Sequence, residues 1–190
     1  MRVKNSMKNI YYSVLIQVCM TLLGFISRRV FINNLDIEYL GVNGLLTNIL
    51  SMLSLVEGGI GASIVYNMYK PLAEDDKPAI IALVQLYKKL YMVVAGIVFA
   101  ISLVIYPFLG KIMKDSASVS YITIIYFIFV AKNIVSYLNA HKWSLINADQ
   151  KGYVLNKYNL RFNIATYIIK ILVLQITKNY VLYIVMEFII

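Results

Sequence analysis

The chain has 190 residues, 61% of them hydrophobic and only 14% charged. Soluble domains run near 45–50% apolar and about 25% charged, so an ordinary soluble fold is excluded. The formal charge of +9, from 18 Lys and Arg against 9 Asp and Glu, would suit nucleic acid only if it covered a solvated face. Here the basic residues gather between apolar segments, as in loops that face the cytoplasm, and nucleic acid is excluded as a partner.

Five apolar stretches are long enough to cross a bilayer, where ~20 residues make one span. They run over 10–33, 39–66, 79–109, 120–143 and 156–177. The start, "MRVKNSMKNIYYSVLIQVCM", has the basic and apolar regions of a signal peptide without a small-residue cleavage site, so it reads as a retained first membrane helix. The loop "YKPLAEDDKP" is the clearest turn, after which Ala79 to Lys89 restarts as an amphipathic helix. The last stretch, "NYVLYIVMEFII", starts near Asn179 and stops at Ile190. Its twelve residues would rise only ~18 Å against a ~30 Å hydrocarbon core, so the chain is expected to end inside a sixth span. The expected fold is an all-α membrane protein, a polytopic bundle of five full transmembrane helices plus a truncated sixth.

Loop charges set the orientation. With the N-terminus inside, Arg2, Lys4, Lys8, Lys70, Lys77, Lys88, Lys89, Lys142, Lys151, Lys157 and Arg161 face the cytoplasm, against Lys111, Lys114 and Lys178 outside. The bias places the N-terminus in the cytoplasm. Four basic residues remain within the membrane: Arg28, Arg29, Lys132 and Lys170. Each costs ~2.5–3.5 kcal/mol at the bilayer centre, so each needs shielding or an escape route.

Helical spacing separates them. Back from Arg28 lie Gly24, Thr21, Gln17 and Ser13, a polar or small stripe that suits a wet cavity. Back from Arg29 lie Phe25, Leu22, Val18 and Leu15, an apolar face from which Arg29 can snorkel to headgroups. In the fifth stretch Asn159, Asn163, Thr166, Tyr167 and Lys170 share a face. In the fourth, Lys132 stands above Asn133, Ser136 and Asn139, and the second carries Thr47, Ser51, Ser54 and Gly58 beside Glu57. An interior lined by Arg28, Lys132 and Lys170 against Glu57 is net positive and suits an anionic substrate, most naturally phosphate. Such stripes also serve as helix–helix glue, and an intramembrane lysine also pairs with an acid.

Chemistry has no foothold. The lone Cys19 excludes an intrachain disulfide or multi-cysteine metal site, and no cofactor is expected. "EGGIGAS" lacks the lysine of a phosphate loop, and its small residues suit close packing or a hinge. His141 has no metal partners and fits an interfacial role, Asp149 and Gln150 fit a capping turn, and no nucleophile with its base is recognisable. An enzyme is not expected.

Several stretches together resemble the polysaccharide repeat-unit (O-antigen and capsule) flippases of the multidrug/oligosaccharidyl-lipid/polysaccharide exporter superfamily. They are Ser27-Arg28 closing the first helix, "YLGVNGLLTNILSMLSLVEGGIGASIVY", "YKPLAEDD" followed by Tyr87 and Tyr91, and "SYLNAHKWSLINADQKGY" over 136–153. The resemblance implies two helical lobes around a central cavity, with residues 1–190 as the amino-terminal lobe and a carboxy-terminal lobe missing. It implies a multi-pass protein of the bacterial plasma membrane that moves oligosaccharide units on undecaprenyl diphosphate to the outer leaflet. Arg28 would bind the diphosphate, Lys132 and Lys170 would assist, Glu57 would hold a basic residue in place, and Gln17 and Asn163 would line the cavity. Expected partners are membrane lipids, the lipid-linked oligosaccharide, the missing lobe and, as a further candidate, a polysaccharide polymerase. Gly58 departs from the family, which often has a larger residue there. The alternatives are a cation or drug antiporter on the related fold and a non-transporting membrane component.

Overall fold

A computed structural model describes residues 2–57, 59–112 and 121–189; Gly58 and Lys114 lie outside them. Eight helices account for nearly all of the described chain, and no strand occurs among the described residues. They are α1 (Arg2–Asn34), α2 (Ile37–Leu53), α3 (Ile60–Glu74), α4 (Lys77–Ile105), α5 (Leu109–Ile112), α6 (Ile122–Ala148), α7 (Gly152–Thr177) and α8 (Tyr180–Ile189). Four segments, Met7–Asn34, Lys77–Phe108, Ile122–Ala148 and Gly152–Thr177, are long and apolar enough to cross a membrane. The protein is an all-α membrane bundle.

The stretch 39–66, expected as one span, is two helices. A 3-10 turn over Ser54–Glu57 closes α2, and Gly59 takes a left-handed φ of 83° ahead of α3. The polar face of α2 leads up to the break. Thr47 Oγ1 donates to the Asn43 carbonyl (2.7 Å), Ser51 Oγ to that of Thr47 (2.8 Å) and Ser54 Oγ to that of Ser51 (2.6 Å). Hydroxyls bonded back onto helix carbonyls bend helices, and a glycine without a Cβ admits the left-handed step. Broken helices at membrane depth are tolerated where they line a cavity.

The turns are built locally. Asp76 caps α4 by accepting from the Ala79 amide (3.1 Å), with Pro78 in the first turn, where its missing N–H costs nothing. The helix α3 runs through Pro71 to Glu74 before Asp75 turns left-handed at φ 52°, so the turn is tighter than "YKPLAEDDKP" as a whole. Between α6 and α7, Gln150 is left-handed at φ 55°, and the Lys151 amide reaches back to the Ile146 carbonyl (3.1 Å). That is the capping turn expected at Asp149 and Gln150. Asp149 also pairs with Lys151, and the hydrogen bond between them raises the lysine pKa.

Side-chain contacts fix the helix directions. Asn9 reaches the Gln150 carbonyl (3.4 Å) and Asn156 reaches Ser13 (3.2 Å). Residue numbers rise together, so α1 and α7 run parallel. Tyr126 donates to the Ser102 carbonyl (2.7 Å), and Tyr91 stacks on Tyr137, so α4 and α6 are antiparallel. Tyr183 meets Ser27 (3.3 Å) and Tyr180 packs edge-on to Phe31, so α8 opposes α1. Asn67 donating to the Tyr87 hydroxyl (3.1 Å) sets α3 against α4. Direction thus alternates through α1, α2–α3, α4, α6, α7 and α8, as a polytopic chain requires. One end of the bundle gathers Lys8, Lys70, Lys77, Lys142 and Lys151, while Lys178 lies at the other.

The tightest core is Leu46, Ile64, Met68, Val98, Ile125, Tyr126, Val130 and Leu174, all essentially closed off. The outer face is apolar as well. Val18, Leu22 and Phe25 of α1 are more than half exposed, which is the face expected to meet lipid. Because lipid tails are as apolar as leucine, cavity cost rather than burial from water should rank mutations. Leu46→Ala is expected to cost about 2–5 kcal/mol, while Leu22→Ala stays within roughly 0.5 kcal/mol. Thermal unfolding of both variants in detergent measures the contrast.

Candidate functional site

The polar interior centres on one carboxylate. Glu187 of α8 presents Oε1 to the Lys132 ammonium of α6 and Oε2 to the Lys170 ammonium of α7. Lys170 is the more enclosed, its side chain 9% exposed against 42% for Lys132 and 33% for Glu187. Its ammonium also lies 4.2 Å from the Tyr183 ring centre and 5.7 Å from that of Tyr167. Ring faces are negative, so they share in compensating the charge. The two long side chains reach one acid because α6 and α7 both pack on α8.

Two clefts meet at this triad. The first, about 390 Å³, is lined by Lys132, Asn133 and Ser136 of α6, the Thr47–Ser54 polar face of α2, and Lys170, Tyr183 and Glu187. The second, about 420 Å³, adds Gly24, Ser27 and Arg28 of α1 to Asn43, Thr47, Lys170 and Glu187. They share Asn43, Thr47, Lys170, Tyr183 and Glu187. Arg28, Lys132 and Lys170, picked from separate stretches of sequence, therefore line one continuous polar region. Among the described residues no acid lies within ion-pair distance of Arg28. Its neighbour Arg29 lines neither cleft, and both arginines are exposed.

The other expected site residues fall elsewhere. Glu57 does not hold a lysine: its Oε1 accepts from the Tyr91 hydroxyl at 2.8 Å. Gly61 makes that contact possible, because a Cβ there would sit 2.9 Å from Glu57 Oε1 and 3.2 Å from the Tyr91 oxygen. The pair lines a separate open groove of about 800 Å³ with Tyr66, Tyr69, Trp143 and Asn147. This groove and the first cleft both touch Ser136. Gln17 is exposed on α1, where its carbonyl accepts from Thr21 Oγ1 (2.8 Å), and Asn163 is half-buried on α7. Neither lines the clefts around the triad. The lower part of the α1 stripe serves helix packing, through Ser13 and Asn156. His141 is buried rather than interfacial, and its Nδ1 finds no partner among the described residues. No cluster of metal-ligating side chains occurs among the described residues.

Glu187 and Tyr183 were not singled out by sequence, although a signal was present. Counting acids as the bases were counted leaves only Glu57 and Glu187 inside apolar stretches.

With its acid removed, Lys170 is an enclosed charge near lipid. Glu187→Leu is expected to destabilise the protein by about 3 kcal/mol, the low end for a buried pair because the carboxylate is a third open. Lys170→Met in the same chain should recover most of that loss. A double-mutant cycle by thermal unfolding in detergent reads the coupling, and a value near zero would mean that the pair does not form.

Comparison with protein-family models, curated proteins and solved structures finds no match to this chain.

Proposed function

We propose that this chain carries the anionic head of a lipid across a membrane, as one lobe of a transporter of lipid-linked oligosaccharide. The observation that supports it most is the convergence of Arg28, Lys132 and Lys170, from three helices, on one polar region inside a bundle whose outer face is apolar. Guanidinium and ammonium groups neutralise phosphate. An acyl or prenyl tail can stay in lipid while the head crosses beside the polar faces of α1, α2, α6 and α7. No bond is made or broken, so no catalytic group is needed.

In this proposal α2 and α3 form one crossing interrupted at its middle, giving five crossings before α8. The N-terminus is cytoplasmic, because the end of the bundle with Lys8, Lys70, Lys77, Lys142 and Lys151 holds the basic excess. The substrate is an undecaprenyl diphosphate oligosaccharide of a bacterial plasma membrane, destined for capsule or O-antigen. A second lobe moves against this one in alternating access, as helix bundles of transporters do around a shared site. The break at Ser54–Gly59 is a place where such motion can be absorbed.

A second reading, export of an organic cation, draws on the groove where Glu57 lies among Tyr66, Tyr69, Tyr91 and Trp143. Aromatic rings and a carboxylate attract cations. The net positive triad region next to it opposes that reading.

The two are separated by Arg28. Arg28→Ala removes a charge-assisted contact worth about 1.5–3 kcal/mol, so surface glycan export is expected to fall on the order of tenfold or more while membrane insertion is kept. Arg29→Leu should leave export near wild type. Export unchanged in Arg28→Ala, with cation efflux lost in Glu57→Gln, would favour the second reading.

A further inference from the structure

We infer that Glu187 is an internal stand-in for the ligand anion and that it sets the charge a ligand must carry, admitting a diphosphate and refusing a singly charged phosphodiester. This rests on the anion-carrying role proposed above. The placement of Glu187 is that of a bridging anion: each carboxylate oxygen takes a different lysine, one from α6 and one from α7. Two non-bridging oxygens of a phosphate would occupy the same positions. Glu187 lines both clefts together with Lys170, so an incoming anion meets the carboxylate beside the ammonium it would take.

Displacement is therefore a competition between anions. Glu187 is tethered to the same chain and so competes at high effective concentration. A ligand with one negative charge offers the two ammonium groups no more than the carboxylate already gives, and lacks the tether. A diphosphate brings a second charge, which Arg28, free of an acid partner among the described residues, can take on the α1 side of the same region. Only the diphosphate gains more than it displaces.

The exchange also reaches α8. That helix is held at its start by Tyr180, which donates to Asn43 (3.1 Å), and by Tyr183 against Ser27 and Phe31. Towards its other end the polar anchors are the two lysine contacts of Glu187. A ligand that takes those lysines loosens that end of α8 while its start stays fixed, so occupancy of the cleft is signalled through one helix.

The test is calorimetric titration of the purified chain in detergent with inorganic pyrophosphate and with dimethyl phosphate. Wild type should prefer pyrophosphate. Glu187→Gln should bind dimethyl phosphate on the order of tenfold more tightly than wild type, bringing it into the measurable range, since a competing charge has gone. Equal affinities in wild type and Glu187→Gln, with pyrophosphate binding lost in Arg28→Ala, would overturn the role of Glu187 and leave the anion site standing. No binding of either probe to any of these proteins would overturn both. Because Glu187→Gln leaves two lysines uncompensated and can unfold, hydrogen exchange on wild type gives a second readout. Pyrophosphate should speed exchange of the α8 amides around Glu187, and slowed or unchanged exchange there would overturn the displacement.

Discussion

Two ammonium groups share one carboxylate inside a lipid-facing bundle, and the packing of three helices turns on that pairing. Charge in hydrocarbon is tolerated only where it is paired or wet. Lys132 and Lys170 stand on different helices, and Glu187 on a third, so their pairing fixes how α6, α7 and α8 face one another. The tyrosines complete the arrangement. Tyr183 lies against the Lys170 ammonium, packs on Phe31 and meets Ser27, which ties the charged centre to α1. Arg28, one residue on, lines the α1 side of the same polar region and stays exposed.

The second constraint is the interrupted crossing. The hydroxyls of Thr47, Ser51 and Ser54 donate to the helix's own carbonyls, and the chain turns at Gly59. The break divides two environments: the basic clefts along α2, and the groove beyond the break, where Glu57 is held by Tyr91. Ser136 touches both.

The periodic features of the sequence carried over well. The helical count that set Arg28 on a polar stripe and Arg29 on an apolar one matches the cleft-lining arginine and the outward Leu22 and Phe25, because a long regular helix keeps its phase. The spans at α1, α4, α6 and α7 followed from length and hydropathy for the same reason. The pairing did not. Glu57 and Glu187 are both acids in apolar runs, and only tertiary packing decides which one a lysine meets. Gly61 admits the Tyr91 hydroxyl to Glu57, and α8 brings Glu187 to the lysines, neither of which one-dimensional spacing records. Gln17 and Asn163 line neither cleft beside the triad, and their helices pack on each other at Ser13 and Asn156.

In the proposed function the basic interior holds the phosphate head of a lipid-linked glycan. Native mass spectrometry of the protein extracted gently from its own membrane tests it most directly. A bound species whose mass and fragmentation show a diphosphate-linked glycolipid is expected on wild type and not on Arg28→Ala. Ordinary phospholipids alone, retained equally by both proteins, would contradict it.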